Sequence, residues 1–155
     1  MIISASRRTD IPAFYSEWFF NRINEGYVLV PNPYNPNMIS RVSLDPAIID
    51  CVVFWTKNPT PMIERLDRLA DYKYYFQFTL NPYGTKLESK LPSLDRRIDT
   101  FKRLADRIGK EKVVWRYDPI LTNEQYTVAF HQDKFAEMAV ALQGYTEKCM
   151  LGFIY

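Results

Sequence analysis

"VVWRYDPI", residues 113–120, begins like a buried strand and ends carrying two opposite charges. Val113, Val114 and Trp115 are the β-branched and aromatic types that fit a pleated, half-buried surface. Side chains alternate across a strand, so Arg116 and Asp118 share one face while Trp115 and Tyr117 share the other. One face is therefore core. The other turns polar toward the carboxyl end, and Pro119, which has no amide hydrogen for a ladder, is expected to end the strand.

The same grammar recurs on either side of this octet. Runs rich in Val, Ile, Phe, Tyr and Trp at 2–6, 27–31, 51–56, 74–80, 112–117 and 149–154 read as strands. Between them lie helical periodicities. Ile98, Phe101, Leu104, Ala105 and Ile108 recur at three- and four-residue steps within 94–108, and Phe135, Met138, Ala139 and Leu142 do so after Asn123. Strands alternating with helices predict βαβ units and a parallel sheet. Gly26, Gly109 and Gly144 stand where helical patterns stop and strands begin. Residues 32–50, rich in Pro and Asn at their start, fit neither pattern.

The strand ends resemble one another. Asn32-Pro33, Asn58-Pro59, Asn81-Pro82 and Asp118-Pro119 close four of them, and Asp10 stands one residue before Pro12. Capping explains each pair taken singly, because Asn or Asp closes a turn and Pro starts the next segment with its φ fixed. Taken together they mark the carboxyl ends of strands, and in parallel α/β sheets ligands meet that edge. The polar residues expected there define a candidate site. Arg7, Arg8, Asn32, Lys57, Gln77, Asn81 and Arg116 are candidate substrate-binding residues, and the arginines and lysine suit phosphate or carboxylate. Asp10 and Asp118 are candidate catalytic acids or bases, or groups that orient the arginines. The competing reading is a closed Arg–Asp network that only satisfies buried charge. Both readings stand at this point.

Composition narrows the function classes. Apolar residues make up 47% of 155 residues, so the chain can bury a core and is expected to form one α/β domain over 1–155. A formal charge of +2, with basic residues spread along the chain, gives no electrostatic case for nucleic acid or a membrane surface. No apolar run approaches the roughly 18 residues of a membrane span. Arg7-Arg8 is followed by Asp10, Pro12 and Glu17, not by an apolar export segment. Cys51 and Cys149 are expected as two buried thiols in a reducing, cytoplasmic setting. With one histidine, His131, expected to pack on a helix, there is no recognisable metal-ligand spacing and no metal site is assigned. The charges of 94–108, Arg96-Arg97 and Lys102-Arg103 among them, read as a solvated face. The aromatic clusters at 18–20 and 72–78 read as core.

The stretches "SASRRTDIPAFY", "NPYNP", "ISRVSLDP", "VFWTKNP", "YYFQFTLN", "VVWRYDPIL" and "GYTEKC" run in order through the chain. In them the sequence resembles family 1848 of the domain-of-unknown-function series, from bacteria and archaea. The resemblance implies a fold similar to a β/α barrel and no established activity. It also implies longer relatives that end in a cysteine-rich segment resembling an iron–sulfur ligand cluster. This chain lacks that segment, so no cofactor is assigned to its residues. Six expected strands fall short of the eight strands and roughly 250 residues of a complete barrel. The expectation is therefore parallel βα repeats resembling a partial, truncated TIM-type barrel, the N-terminal part of a longer barrel-like protein. Its uncovered edges are expected to favour a homo-oligomer, and its partner is expected to be an anionic small molecule.

Overall fold

Residues 1–6, 8–35 and 37–154 are described by a computed structural model. Five parallel strands form its centre, β1 (Ile2–Ala5), β4 (Cys51–Thr56), β5 (Tyr74–Thr79), β6 (Val113–Ile120) and β7 (Cys149–Phe153), in that spatial order. Each strand lies beside the next parallel strand in the chain, and the order never reverses. Two further strands, β2 (Tyr27–Pro31) and β3 (Ile39–Ser43), pair only with each other as an antiparallel hairpin between β1 and β4.

The helices α1 (Ile11–Phe14), α2 (Ser16–Glu25), α3 (Thr60–Ile63), α4 (Leu94–Ile108) and α5 (Val128–Leu142) fill the connections. Their apolar stripes meet one face of the sheet in a single core containing Phe19 and Phe20, Met62 and Ile63, Phe101 and Leu104, and Met138. Phe54 stacks on Phe76 at 4.8 Å, Phe78 on Phe101 at 5.1 Å, and Trp115 on Phe135 at 4.9 Å. Such pairs add about 0.5–1.5 kcal/mol each beyond the area they bury. The alternation expected in 113–120 is met here. Trp115 and Tyr117 pack under α5, while Arg116 projects from the opposite face, where it lies over Trp55.

Four expectations are corrected. The run 27–31 is a strand, but it belongs to the hairpin, whose second strand lies in the unassigned stretch 32–50. Pro119 does not end β6, which continues to Ile120 through an irregularity in its pairing with β7 after Tyr117; bulges are where a sheet tolerates proline. Cys51 is half-buried, and Cys149 is exposed on β7, an edge strand with no neighbour beyond it among the described residues. Trp18 is 44% exposed although Phe19 and Phe20 beside it are core, since successive residues of a helix point in different directions.

Among the described residues the sheet is open, with β1 and β7 as its edges, and no closed barrel is formed. Met150, Leu151 and Phe153 of β7 are exposed. No helix of the described residues is long and apolar enough to cross a membrane.

Candidate functional site

Parallel strands in one sheet place all their carboxyl ends on one edge, and there Asp10, Lys57, Asn81, Arg116 and Asp118 come together. The chain leaves β1, turns through Ser6 and enters α1 at Asp10. Asp10 caps that helix, accepting from the Ala13 amide at 3.0 Å through Oδ1, and it accepts from the Lys57 amide at 2.7 Å through Oδ2. One carboxylate thus ties the end of β1 to the end of β4. Burial raises its pKa above the ordinary carboxylate value, against the lowering effect of the hydrogen bonds from Lys57, Thr56 and Ala13.

The Lys57 side chain runs to Glu88, with Nζ to Oε1 at 2.5 Å. Glu88 also accepts from Arg97 Nη1 at 2.9 Å, and both of those side chains are almost wholly buried. Arg97 Nη2 donates to the Asn81 carbonyl at 3.2 Å. Asn81 is fully buried and donates through Nδ2 to the Asp118 carbonyl at 2.9 Å. Asp118 in turn pairs with Arg116. The Arg116 guanidinium reaches across β5 and lies 4.3 Å from the ring centre of Trp55 on β4. Contacts therefore run without a break from the end of β1 to the end of β6.

Five buried polar atoms along this edge have no hydrogen-bond partner among the described residues: Asn81 Oδ1 and Arg97 Nε within the network and, clustered on the sheet face, Trp55 Nε1, Gln77 Oε1 and Arg116 Nε. Trp55 and Gln77 are register partners on β4 and β5, and Arg116 spans them from β6. Buried polar groups are nearly always satisfied, so three together are a chemical feature of the face. Burial also lowers the Arg116 pKa, because desolvation disfavours its charge.

Arg8 and Asn32 take no part in this network among the described residues. Asn32 ends β2 and turns the hairpin, accepting from the Tyr34 amide at 2.8 Å; it is not at the edge of the parallel sheet. Arg8 reaches the Pro31 carbonyl at 3.3 Å and forms no ion pair among the described residues. It lines a groove of about 500 Å³ between β1, the first turns of α1 and α2, and β2, together with Ser6, Tyr15, Trp18 and Leu29. Ser6 holds a φ of 93°, a conformation that side chains other than glycine rarely adopt. Its Oγ accepts from the Ile11 amide at 3.2 Å, so the groove adjoins the Asp10 cap. Arg7 lies outside the described residues.

Asp10, Lys57, Asn81, Arg116 and Asp118 of the charged edge fall in the stretches that carried the resemblance, whereas Glu88 and Arg97 do not. The family described as Domain of unknown function (DUF1848) matches residues 2–155. The chain belongs to this family. No curated protein and no solved structure matches it. An iron–sulfur cluster of the kind that the resemblance implies for longer relatives needs a set of cysteine ligands. Cys51 and Cys149 lie on strands separated by two others, so the described residues do not supply that set. Nor does any group of three or more His, Cys, Asp or Glu among them stand where it could hold a metal ion.

Glu88 and Arg97 do not figure among the candidate site residues of the sequence. Arg97 was expected on a solvated face, but it is 2% exposed. The signal was present: positions 97, 101, 104 and 108 follow helical steps, which puts Arg97 on the stripe of Phe101, Leu104 and Ile108. Glu88 sits in the irregular segment between β5 and α4, where no periodicity points inward. His131 packs as expected, between the Tyr117 hydroxyl at 2.7 Å and the Leu121 carbonyl at 2.9 Å.

Proposed function

We propose that this chain is an enzyme-derived domain of β/α-barrel type, the leading part of a longer barrel. It binds a phosphate- or carboxylate-bearing small molecule at the carboxyl ends of its strands. The one-directional strand order and the single helix-covered face support the barrel reading, since a doubly wound sheet reverses its order and carries helices on both faces. The observation that carries anion binding is the charge balance of the edge. Arg8, Lys57, Arg97 and Arg116 stand against Asp10, Glu88 and Asp118, and Arg8 is left without an ion-pair partner among the described residues beside an open groove.

In this reading Arg8 makes the leading contact. Lys57 and Arg116 add field, and Arg116 Nε is a donor that its pairing with Asp118 leaves unused. Gln77 and Asn81 shape the floor, and Asn32 sets the hairpin that walls the groove. In this reading Asp10, which holds the Lys57 amide, and Asp118, which pairs with Arg116, are the two groups that exchange a proton with the ligand. Calorimetric titration with inorganic phosphate and with acetate tests this. Binding should be saturable and should weaken in a folded Arg116→Ala variant, its fold checked by thermal melting. Unchanged binding in that variant removes Arg116 from the site.

A second reading, a non-catalytic assembly module with structural Arg–Asp networks, is favoured by the exposed apolar side chains of β7 and by two free strand edges. It predicts a homo-oligomer. Light scattering that finds a folded monomer at micromolar concentration would count against it.

A further inference from the structure

The groove beside β1 has a chemistry more specific than a positive charge. Its walls carry two aromatic side chains that the core does not use: Tyr15 is 49% exposed and Trp18 is 44% exposed. Every aromatic pair among the described residues lies elsewhere, so neither ring stacks on another. At the same groove stand Arg8, with no ion pair among the described residues, and the hydroxyls of Ser4, Ser6 and Thr9. No Asp or Glu is among the described residues that line it. A neighbouring cavity of about 170 Å³, which Trp18 also borders, is lined mainly by apolar side chains, Phe19, Val42 and Leu44 among them, and by Arg22. Small-molecule sites hold about 300–1,000 Å³, mostly apolar, with a few placed polar groups. The roughly 500 Å³ beside β1 fits that description.

We infer that this groove binds a planar ring joined to an anionic group, the ring against Trp18 and Tyr15 and the anion at Arg8. This rests on the proposed anion binding and adds the ligand's other half. Arg8 is fixed by the Pro31 carbonyl at the groove's end, so it keeps donors for an anionic oxygen. Any ring has a π-face for Trp18, so the aromatic contact sets a class of ligand and not one compound. An aromatic carboxylate and a nucleoside monophosphate share this chemistry, and the two are separated by titration.

Four probes decide it on the full chain, by calorimetry: adenosine monophosphate, naphthoate, inorganic phosphate and naphthalenemethanol. At least one of the first two should bind more tightly than inorganic phosphate, and which one does tells phosphate from carboxylate. Trp18→Ala should weaken that ligand about tenfold or more and leave inorganic phosphate unchanged, while Trp18→Phe should restore most of the affinity. Equal affinity for adenosine monophosphate, naphthoate and inorganic phosphate, with no effect of Trp18→Ala, overturns the ring contact and leaves anion binding standing. Naphthalenemethanol binding as tightly as naphthoate removes the anion from this groove. No binding of any anionic probe overturns both this inference and the reading it rests on. Because Trp18 is half-exposed, loss of its ring should leave the fold intact, and an unchanged melting curve verifies that in each variant.

Discussion

The two halves of the carboxyl-end edge use charge in opposite ways. From β4 to β6, charged side chains are consumed by one another: Lys57 and Arg97 by Glu88, Arg116 by Asp118. Beside β1, Arg8 faces a groove that no Asp or Glu of the described residues lines. The first region is organised like a core that happens to be polar, and the second like a surface awaiting a partner. A cation's place on the sheet edge therefore does not decide its role. What decides it is whether the fold has already supplied its counter-charge.

The sharpest way to break this contrast is to remove a counter-charge. Glu88→Leu strands Arg97, whose side chain is 3% exposed, and should destabilise the protein by about 3–5 kcal/mol in urea unfolding. Glu88→Leu with Arg97→Met should recover much of that loss, since an apolar pair of similar size often replaces a buried ion pair at little cost. A loss below about 1 kcal/mol in the single variant would make the network ornamental.

A smaller effect is expected at the far end of the same network. A Cβ at position 152 would overlap the Asp118 carboxylate, so Gly152→Ala requires either Asp118 or β7 to shift. Overpacking of this kind costs roughly 1–3 kcal/mol. Unchanged stability would mean that β7 yields and the ion pair is not held in place.

Asp10 gives the contrast a pH signature. Its carboxyl pKa is raised by burial, so over the interval above the ordinary carboxylate value the folded state binds more proton than the unfolded state. Stability then falls as pH rises through that interval, and the charged form carries the cost at neutral pH. Unfolding free energies measured against pH for the native chain and for Asp10→Asn should differ by such a downward slope. A difference curve that rises with pH would show a carboxylate stabilised by its three hydrogen-bond donors.

Much of this was legible in the chain, and for identifiable reasons. The octet 113–120 disclosed its two faces because a strand's period of two is rigid. Helix 94–108 was readable because its apolar stripe spans four turns. The hairpin was not, because β3 is mostly exposed and carries little apolar pattern. Arg116 and Asp118 could be placed on one face, but their mutual pairing could not be told from joint ligand binding by alternation alone. The role of Glu88 depends on a segment without regular structure, and Trp18 was hidden by its buried neighbours Phe19 and Phe20.

The groove should be nearly silent in stability. Arg8→Met and Trp18→Ala are each expected within about 0.5 kcal/mol of the native chain, against the several kcal/mol of Glu88→Leu. A large loss from either would place it in the structural half of the comparison.

Titration with inorganic phosphate, followed by backbone amide NMR shifts in the native chain and in Arg8→Met, tests the central claim most directly. Saturable shifts at Ser4, Ser6, Thr9 and Lys57 that disappear in a folded Arg8→Met variant are the expected result. Shifts that persist unchanged without Arg8, or no saturable shift at this edge in the native chain, would contradict it.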